Sequence, residues 1–250
     1  MKIILSPAKT MVRQENCKLS DFIVSQPAFI REAEKLNAIL KRQSKIKLKK
    51  LFKTSDEMTE KCREDILHFE TSTPEKAAFA FRGEVFKALA PENFSHVELS
   101  FAQENLHIFS GLYGILKPLD RIKLYRLDFN TPLKVGKQLS LKKFWNDRII
   151  NYFEQMLVDE ENIINLASAE FSTILTASHL KNQIITLEFR ETKQNKLFNS
   201  SVFAKQARGF YCREIIKKQI TDPQIIKELK LEGYRFRPKL SSENVWFFVR

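Results

Sequence analysis

KIILSPAKT, at residues 2–10, predicts a buried strand that ends in a polar turn. Lys2 to Leu5 forms a short strand, and Ser6-Pro7 ends it because the residue before a proline is pushed toward extended geometry. Two later stretches follow the same pattern, HIFSGLYG at 107–114 and IINLASAE at 163–170. Strands that alternate with helices in this way predict an α/β fold, α+β-like in having a mixed sheet flanked by helices.

Apolar residues at helical spacing predict the helices that connect these strands. They fall at 29–40, 58–69, 95–106, from 141 onward, and 201–219. The third helix begins with Ser95 and Glu98, a pair that can form a capping box. Alternating residues predict further strands at 183–189 and 245–249. Because the chain has no internal repeat and only six glycines for flexible joints, we expect residues 1–250 to form a single compact domain.

The composition excludes several classes of protein. A hydrophobic content of 43% and a charged content of 29% are typical of a globular chain. No apolar run is long enough to span a membrane, and the run at Lys2–Leu5 is too short for a signal peptide. The cysteines Cys17, Cys62 and Cys212 are far apart and form no CxxC pair, which fits a reducing cytoplasm. The four histidines show no ligand spacing, so we expect a cytoplasmic protein without a stable metal or a cofactor.

Positive charge points to a polyanionic partner. Lysine and arginine number 42 against 30 aspartates and glutamates, which gives a formal net charge of +12. A surplus of this size favours solubility and also attracts nucleic acid. The densest part is an acid-free run from Lys41 to Lys53, which includes Lys47, Lys49 and Lys50. We therefore expect nucleic acid as the partner, with Lys47, Lys49 and Lys50 as secondary contacts and no membrane association.

Polar residues follow three of the predicted strands, at Ser6–Thr10, Ser110–Gly114 and Asn165–Glu170. In open α/β sheets, ligands bind in the crevice beyond the carboxyl ends of the strands. Small residues there let backbone amides approach an anion, and Lys9 and Thr10 are suitable phosphate ligands. Each stretch is also compatible with an ordinary tight turn, and none matches a Walker or dinucleotide motif.

Eight motifs resemble the YaaA family of peroxide-stress-resistance proteins. They are SPAKT at 6–10, FRGEVFKAL at 81–89, FSGLYGILKPLD at 109–120, YRLDF at 125–129, FWNDRI at 144–149, INLASAEF at 164–171, AKQARGFYCREII at 204–216 and EGYRF at 232–236. They occur in order, so the resemblance covers nearly the whole chain. It implies a bacterial cytosolic protein that helps cells survive hydrogen peroxide and lowers the burden of loose iron. It also implies a single α/β-type fold with a positively charged cleft that binds duplex and branched DNA.

The resemblance further implies a helix-hairpin-helix at about residues 44–69. That element normally has a glycine in the hairpin, so that backbone amides can reach a phosphate. This sequence has Met58–Lys61 where the glycine is expected, which puts hairpin-type phosphate capture in doubt. The preceding lysine run is then the alternative source of charge.

The AKxARG pattern of the resemblance places Lys205 and Arg208 at the same cleft as Lys9. Lys205, Arg208 and Cys212 are spaced to share one helix face, which we expect to lie opposite Phe203, Ala207 and Phe210. Both cations are also compatible with an ordinary exposed helix surface. Gly209 weakens a helix interior by about 1 kcal/mol relative to alanine, so we expect it to allow close packing or the approach of a ligand.

Tyr113, Tyr125, Arg126 and Glu170 complete the candidate cleft. A tyrosine beside cations can stack on a base, which is worth about 1–3 kcal/mol per base in single-strand binders. A carboxylate among cations repels phosphate, so Glu170 either anchors those cations or takes part in chemistry. Glu170 and Tyr113 are therefore the candidates for a catalytic role.

Three functions compete at this point. We favour a non-enzymatic DNA-binding protein of oxidative-stress defence over an enzyme. The rival is a glycosylase-like enzyme acting on a nucleobase or nucleotide, motivated by the polar cluster of Ser6, Lys9, Tyr113 and Glu170. Direct iron sequestration is the weakest hypothesis, because no cluster of His, Cys and Glu has ligand spacing.

Overall fold

An eight-stranded sheet forms the centre of the computed structural model, which describes residues 1–13, 24–158, 160–180, 184–194 and 196–250. The strands, including those of two small satellite sheets, are β1 (Lys2–Leu5), β2 (Thr10–Met11), β3 (Glu75–Lys76), β4 (Phe81–Arg82), β5 (Leu106–Ser110), β6 (Gly114–Leu116), β7 (Arg121–Ile122), β8 (Ile163–Asn165), β9 (Ile184–Lys193), β10 (Lys196–Phe198), β11 (Arg235–Phe236) and β12 (Val245–Val249). The helices are α1 (Ile30–Lys41), α2 (Lys45–Phe52), α3 (Asp56–Leu67), α4 (Ala77–Ala80), α5 (Glu84–Leu89), α6 (His96–Asn105), α7 (Leu141–Met156), α8 (Ala169–Thr176) and α9 (Ser201–Lys217).

The main sheet has the order β11-β12-β9-β8-β1-β5-β6, with β10 paired to β9. Its central strands, from β12 to β5, are parallel, whereas β11, β6 and β10 pair antiparallel with their neighbours. Helices flank this mixed sheet, so the predicted α/β class is confirmed. Strand β9 continues beyond Phe189, where its prediction ended, and Gln183 lies outside the described residues.

Burial on both faces explains the continuous apolar runs of the central strands. Ile3, Ile4 and Leu5 of β1 are fully buried, as parallel strands covered by helices on both faces normally are. The β5 strand is buried along its whole length, including the polar residues His107 and Ser110. The apolar runs therefore identify the centre of the sheet correctly.

The helix that begins after Ser95 confirms its predicted capping box. The Ser95 hydroxyl accepts a hydrogen bond from the Glu98 amide at 3.3 Å, and the Glu98 carboxylate accepts one from the Ser95 amide at 2.7 Å. This pair satisfies two amides that the first turn of α6 would otherwise leave without partners.

The lysine run folds as a helix of its own, which the apolar periodicity did not predict. Within it, α2 buries Leu48, Leu51 and Phe52 and exposes its lysines. The α2–α3 hairpin turns at Lys53, which has a left-handed φ of 51°. The predicted hairpin position, Met58–Lys61, is wrong because these residues lie inside α3.

Close packing of α9 on α5 confirms the role expected of Gly209. A Cβ atom at this position would lie 2.2 Å from the Val85 carbonyl oxygen and 2.7 Å from the Ala88 Cβ. The predicted polar face of α9 is wrong in part, because Cys212 is fully buried and Phe203 is 41% exposed. The reason is that α9 contacts both α5 and β9, so two of its sides are covered.

Two further sequence expectations concern cysteines and membrane spans. Cys62 and Cys212 are buried free thiols, whereas Cys17 lies outside the described residues. Among the residues that the structure describes, no helix combines the length and apolarity needed to cross a bilayer.

Candidate functional site

The strand order reverses between β1 and β8, which opens a crevice at their carboxyl ends. The chain leaves β1 toward β5 on one side and leaves β8 toward β9 on the other. Such a switch point is where open α/β sheets bind ligands. Ser6 follows β1 and Ser168 follows β8, and the Ser168 amide donates to the Ser6 hydroxyl at 2.8 Å. The Ser6 hydroxyl in turn donates to the Ser168 hydroxyl at 3.3 Å.

A cleft of about 380 Å³ lies over these serines. Its wall comes from the turn after β1, the β4–α5 junction, the segment after β7, the start of α8 and helix α9. The lining residues are Ser6–Thr10, Arg82–Val85, Asp128, Leu166, Ser168, Glu170, Phe171, Lys205 and Arg208. The cleft thus brings together six of the predicted site residues: Ser6, Lys9, Thr10, Glu170, Lys205 and Arg208.

Arg208 is the most unusual side chain of the cleft. Its Nε atom is buried, and no hydrogen-bond partner for it lies within the described part of the chain. Burial lowers the pKa of the guanidinium, while Glu188 opposes this shift and Arg190 adds to it. Glu188 and Arg190 pair with each other at 2.8 Å rather than with Arg208. A largely desolvated cation therefore lines the cleft without a direct ion-pair partner among the described residues, although Glu188 lies near enough to favour its charge.

Lys9 is held by a neighbouring carboxylate. Its Nζ lies 3.1 Å from the Asp128 carboxylate, and 65% of the Lys9 side chain is exposed against 30% for Asp128. Asp128 was not among the predicted site residues, although YRLDF at 125–129 contains it. Asp128 thus has the cation-anchoring role considered for Glu170.

Glu170 makes no ion pair with a residue in the described ranges, although Lys9 and Lys142 lie near enough to influence it. Burial raises the pKa of its carboxyl group, and the like charge of Asp128 raises it further. Glu170 sits in the first turn of α8, one residue after Ala169. A carboxyl group placed in this way can accept a hydrogen bond or exchange a proton.

The cleft is less basic than expected. Four cationic and three acidic side chains line it. Arg82 is engaged in the wall, because its guanidinium donates to the Phe79 carbonyl oxygen at 2.9 Å. Glu84 accepts from Lys87 at 3.0 Å and from Gln206 at 2.7 Å. The positive character of the cleft therefore depends mainly on Lys205 and Arg208.

The tyrosines predicted for the cleft lie elsewhere. Tyr113 is fully buried, and its hydroxyl accepts a hydrogen bond from the Lys123 amide at 2.9 Å. Burial raises the pKa of Tyr113 and of Tyr125, and the Tyr125 hydroxyl lies 2.6 Å from that of Ser110. Tyr113 therefore does not line this cleft, and its stacking on a base and its catalytic role remain predictions that the cleft does not support. The turn at 110–114 does not join the other two strand ends.

Arg126 and the α2 lysines lie outside the cleft. Arg126 and Tyr125 border a small neighbouring depression of about 70 Å³, which shares Lys9 and Thr10 with the cleft. On α2, Lys49 pairs with Asp56 at 2.7 Å, and this contact lowers the pKa of Asp56. Lys47 and Lys50 form no ion pair with a described residue. The described residues also contain no group of three His, Cys, Asp or Glu side chains that could hold a metal ion.

Comparison with known proteins places the chain in a family. The sequence model described as "Peroxide stress protein YaaA" matches residues 1–240. A UPF0246 protein of Desulforapulum autotrophicum is 43% identical over 254 residues, covering 100% of this chain and 99% of that protein. UPF0246 proteins of Maricaulis maris and Rickettsia rickettsii are 37% and 34% identical, covering 100% of this chain and 96% and 100% of their own lengths. The chain therefore belongs to the family of the peroxide stress protein YaaA, whose curated relatives carry the name UPF0246.

Proposed function

We propose that this protein binds DNA during peroxide stress and thereby limits damage that unincorporated iron causes. Hydrogen peroxide and ferrous iron generate hydroxyl radical, which attacks DNA when the iron is bound close to it. A protein that occupies the phosphates competes with iron cations for the same negative charge. The proposal thus connects the stress response of the family with the positive charge of the chain.

The observation that carries the proposal is a set of cations without acidic partners among the described residues. Lys205 and Arg208 supply two at the cleft, and Lys47 and Lys50 supply two on α2. Phosphates carry the negative charge of nucleic acid, and basic protein surfaces bind nucleic acid largely through them. Unpaired lysines and arginines can neutralise phosphates without first breaking an internal ion pair.

The α2–α3 hairpin supports a secondary contact. Two helices joined by a three-residue turn resemble the geometry expected for residues 44–69. Lys53 adopts the left-handed backbone conformation that a hairpin glycine usually adopts, and a residue with a Cβ atom is less stable in this conformation than glycine is. The turn therefore adds a side-chain cation where a glycine would expose backbone amides.

Salt dependence of binding tests this proposal. Each phosphate contact on duplex DNA should contribute about −0.9 to the log–log slope of affinity against salt. Lys205→Ala and Arg208→Ala should each weaken binding and reduce the slope, with circular dichroism as the check on folding. The triple change Lys47→Ala, Lys49→Ala and Lys50→Ala should weaken binding less. Affinity that does not respond to salt, or no binding at low salt, would refute DNA binding.

A glycosylase-like enzyme is the second candidate, and the position of Glu170 favours it. Its carboxyl group is unpaired within the described chain, has a raised pKa and lies close to Asp128. These are properties of a general acid or base, and removing such a group typically lowers the reaction rate by about 10²–10⁴-fold. The test incubates wild type and Glu170→Gln with DNA, RNA and nucleosides and seeks released base by mass spectrometry. Base released only by the wild type would establish the enzyme, and no release from any substrate would exclude it.

A further inference from the structure

The size of the cleft limits what can enter it. A volume of about 380 Å³ corresponds to a cube about 7 Å on each edge, whereas the major groove alone of a DNA duplex is about 12 Å wide and the whole duplex is wider still. A duplex can therefore place its phosphates at the mouth of the cleft but cannot enter it. Cavities of about 300–1,000 Å³ are those that hold small molecules, and a single nucleotide is of this scale.

Arg208 identifies one end of the ligand. Buried charges in proteins are normally paired, because a desolvated cation without a counter-charge is strongly unfavourable. No ion pair or hydrogen bond to the Arg208 guanidinium comes from the described residues, and its Nε atom is buried. The contact at Gly209 holds this part of α9 against α5, which fixes the backbone from which the Arg208 side chain extends. An anionic ligand would supply the missing partner, and Lys205 lies one helical turn away on the same lining.

The carboxylates identify the other end. Asp128 is paired with Lys9, whereas Glu170 has no ion-pair partner within the described ranges. Glu84, the third acid of the cleft, is held by Lys87 and Gln206. A phosphate chain that ran through the whole cleft would also meet Asp128 and Glu170 and be repelled. Glutamate recognises the N–H groups on the edge of a base, as in pairing with the cytosine amino group. The hydroxyls of Ser6 and Ser168, which are hydrogen-bonded to each other at 3.3 Å, also line the cleft.

We propose that the cleft binds one nucleoside monophosphate unit, with its phosphate on Arg208 and Lys205 and its base edge toward Glu170. The unit comes either from a free nucleotide or from a nucleotide extruded from a strand, as enzymes that act on bases extrude theirs. The second source rests on the proposed DNA binding, whereas the first does not.

The first experiment measures binding of free ligands by calorimetry. The probes are the four common nucleoside 5′-monophosphates, the matching nucleosides and inorganic phosphate. At least one monophosphate should bind at least tenfold more tightly than its nucleoside and than phosphate. Arg208→Gln should abolish most of this advantage, and Glu170→Gln should change the order of preference among the bases. Lys217→Gln, which removes an exposed cation from the same helix, is the control and should bind like the wild type.

The second experiment identifies the source. Two oligonucleotide duplexes are compared, one fully paired and one with a base opposite an abasic position, which lowers the cost of extrusion. Tighter binding of the second duplex, reversed by the monophosphate, would identify an extruded nucleotide. Equal binding of both duplexes, together with binding of the monophosphate, would identify the free nucleotide.

The two proposals can fail separately. Absence of salt-dependent duplex binding would remove the DNA proposal and leave the nucleotide site intact if a monophosphate still binds. The nucleotide site would be overturned if no monophosphate binds at millimolar concentration. It would also be overturned if phosphate alone binds as tightly, or if Arg208→Gln leaves monophosphate binding unchanged. Duplex binding that persists in these cases would belong to another surface.

Discussion

His107 links the stability of the fold to pH. It lies in β5 with its side chain fully buried, and its ring packs against Phe153 at a centroid distance of 5.4 Å. Its Nδ1 atom is 3.2 Å from the Asn105 carbonyl oxygen, while Nε2 has no partner in the described residues. Burial lowers the pKa of this imidazole from 6.5 to about 3, and the charge of Lys117 contributes to the shift.

The direction in which pH changes the stability follows from whether the folded or the unfolded state binds the proton of His107. Between pH 6.5 and about 3, His107 is protonated in the unfolded chain and neutral in the folded one. Stability therefore falls as pH decreases through this window. From pH 6.5 to pH 5 the loss is about 1.5 pH units at 1.36 kcal/mol each, or about 2 kcal/mol. This contribution is absent above the window.

Urea unfolding at pH 7 and pH 5 measures the effect. In His107→Phe, which keeps an aromatic ring and removes the titrating group, the difference in unfolding free energy between the two pH values should be smaller by about 2 kcal/mol than in the wild type. Ile108→Val in the same strand is the control, because it should cost about 0.5–1.5 kcal/mol at both pH values. A His107→Phe variant with the wild-type pH dependence would refute the reasoning.

Two further changes test the wall of the cleft. Gly209→Ala should lower the free energy of unfolding in urea, because overpacking against the Val85 carbonyl oxygen typically costs about 1–3 kcal/mol and outweighs a helix-propensity gain of about 1 kcal/mol. Val202→Ala, at an exposed position of the same helix, is the control. A Gly209→Ala variant that is more stable than the wild type would contradict the contact. Asp128→Asn should release Lys9 to bind phosphate and steepen the salt slope by about 0.9 on duplex DNA; an unchanged slope would show that Lys9 does not reach DNA.

The sequence predicts the central strands well because their burial leaves a clear pattern. Lys2–Leu5 and Val245–Val249 were predicted with the bounds that the structure has. Helix α2 was missed because only three of its eight residues are buried, and they fall among lysines. A short helix stabilised by packing against a neighbour gives little periodicity of its own.

The cleft was predictable only in part, because strand order is a tertiary property. Ser6 and Glu170 meet there since β1 and β8 are neighbours in the sheet. Tyr113 follows β5, which is also a neighbour of β1, but the antiparallel return into β6 directs this turn into the core. The motif predicted that Arg208 lies at the cleft. Its burial and its lack of a hydrogen-bond partner for Nε could not be predicted, because they depend on how α9 packs.

The buried thiols affect how the protein itself withstands oxidant. Peroxide reacts with a thiolate, not with a thiol, and burial raises the pKa of both Cys62 and Cys212. Both described cysteines therefore stay in the protonated form and out of reach of solvent, so neither should proceed to sulfenic acid. Among the described methionines Met58, on α3, is instead the most exposed, since Met1, Met11 and Met156 are only partly exposed. Sulfoxide formation would thus begin on the hairpin and leave the core intact.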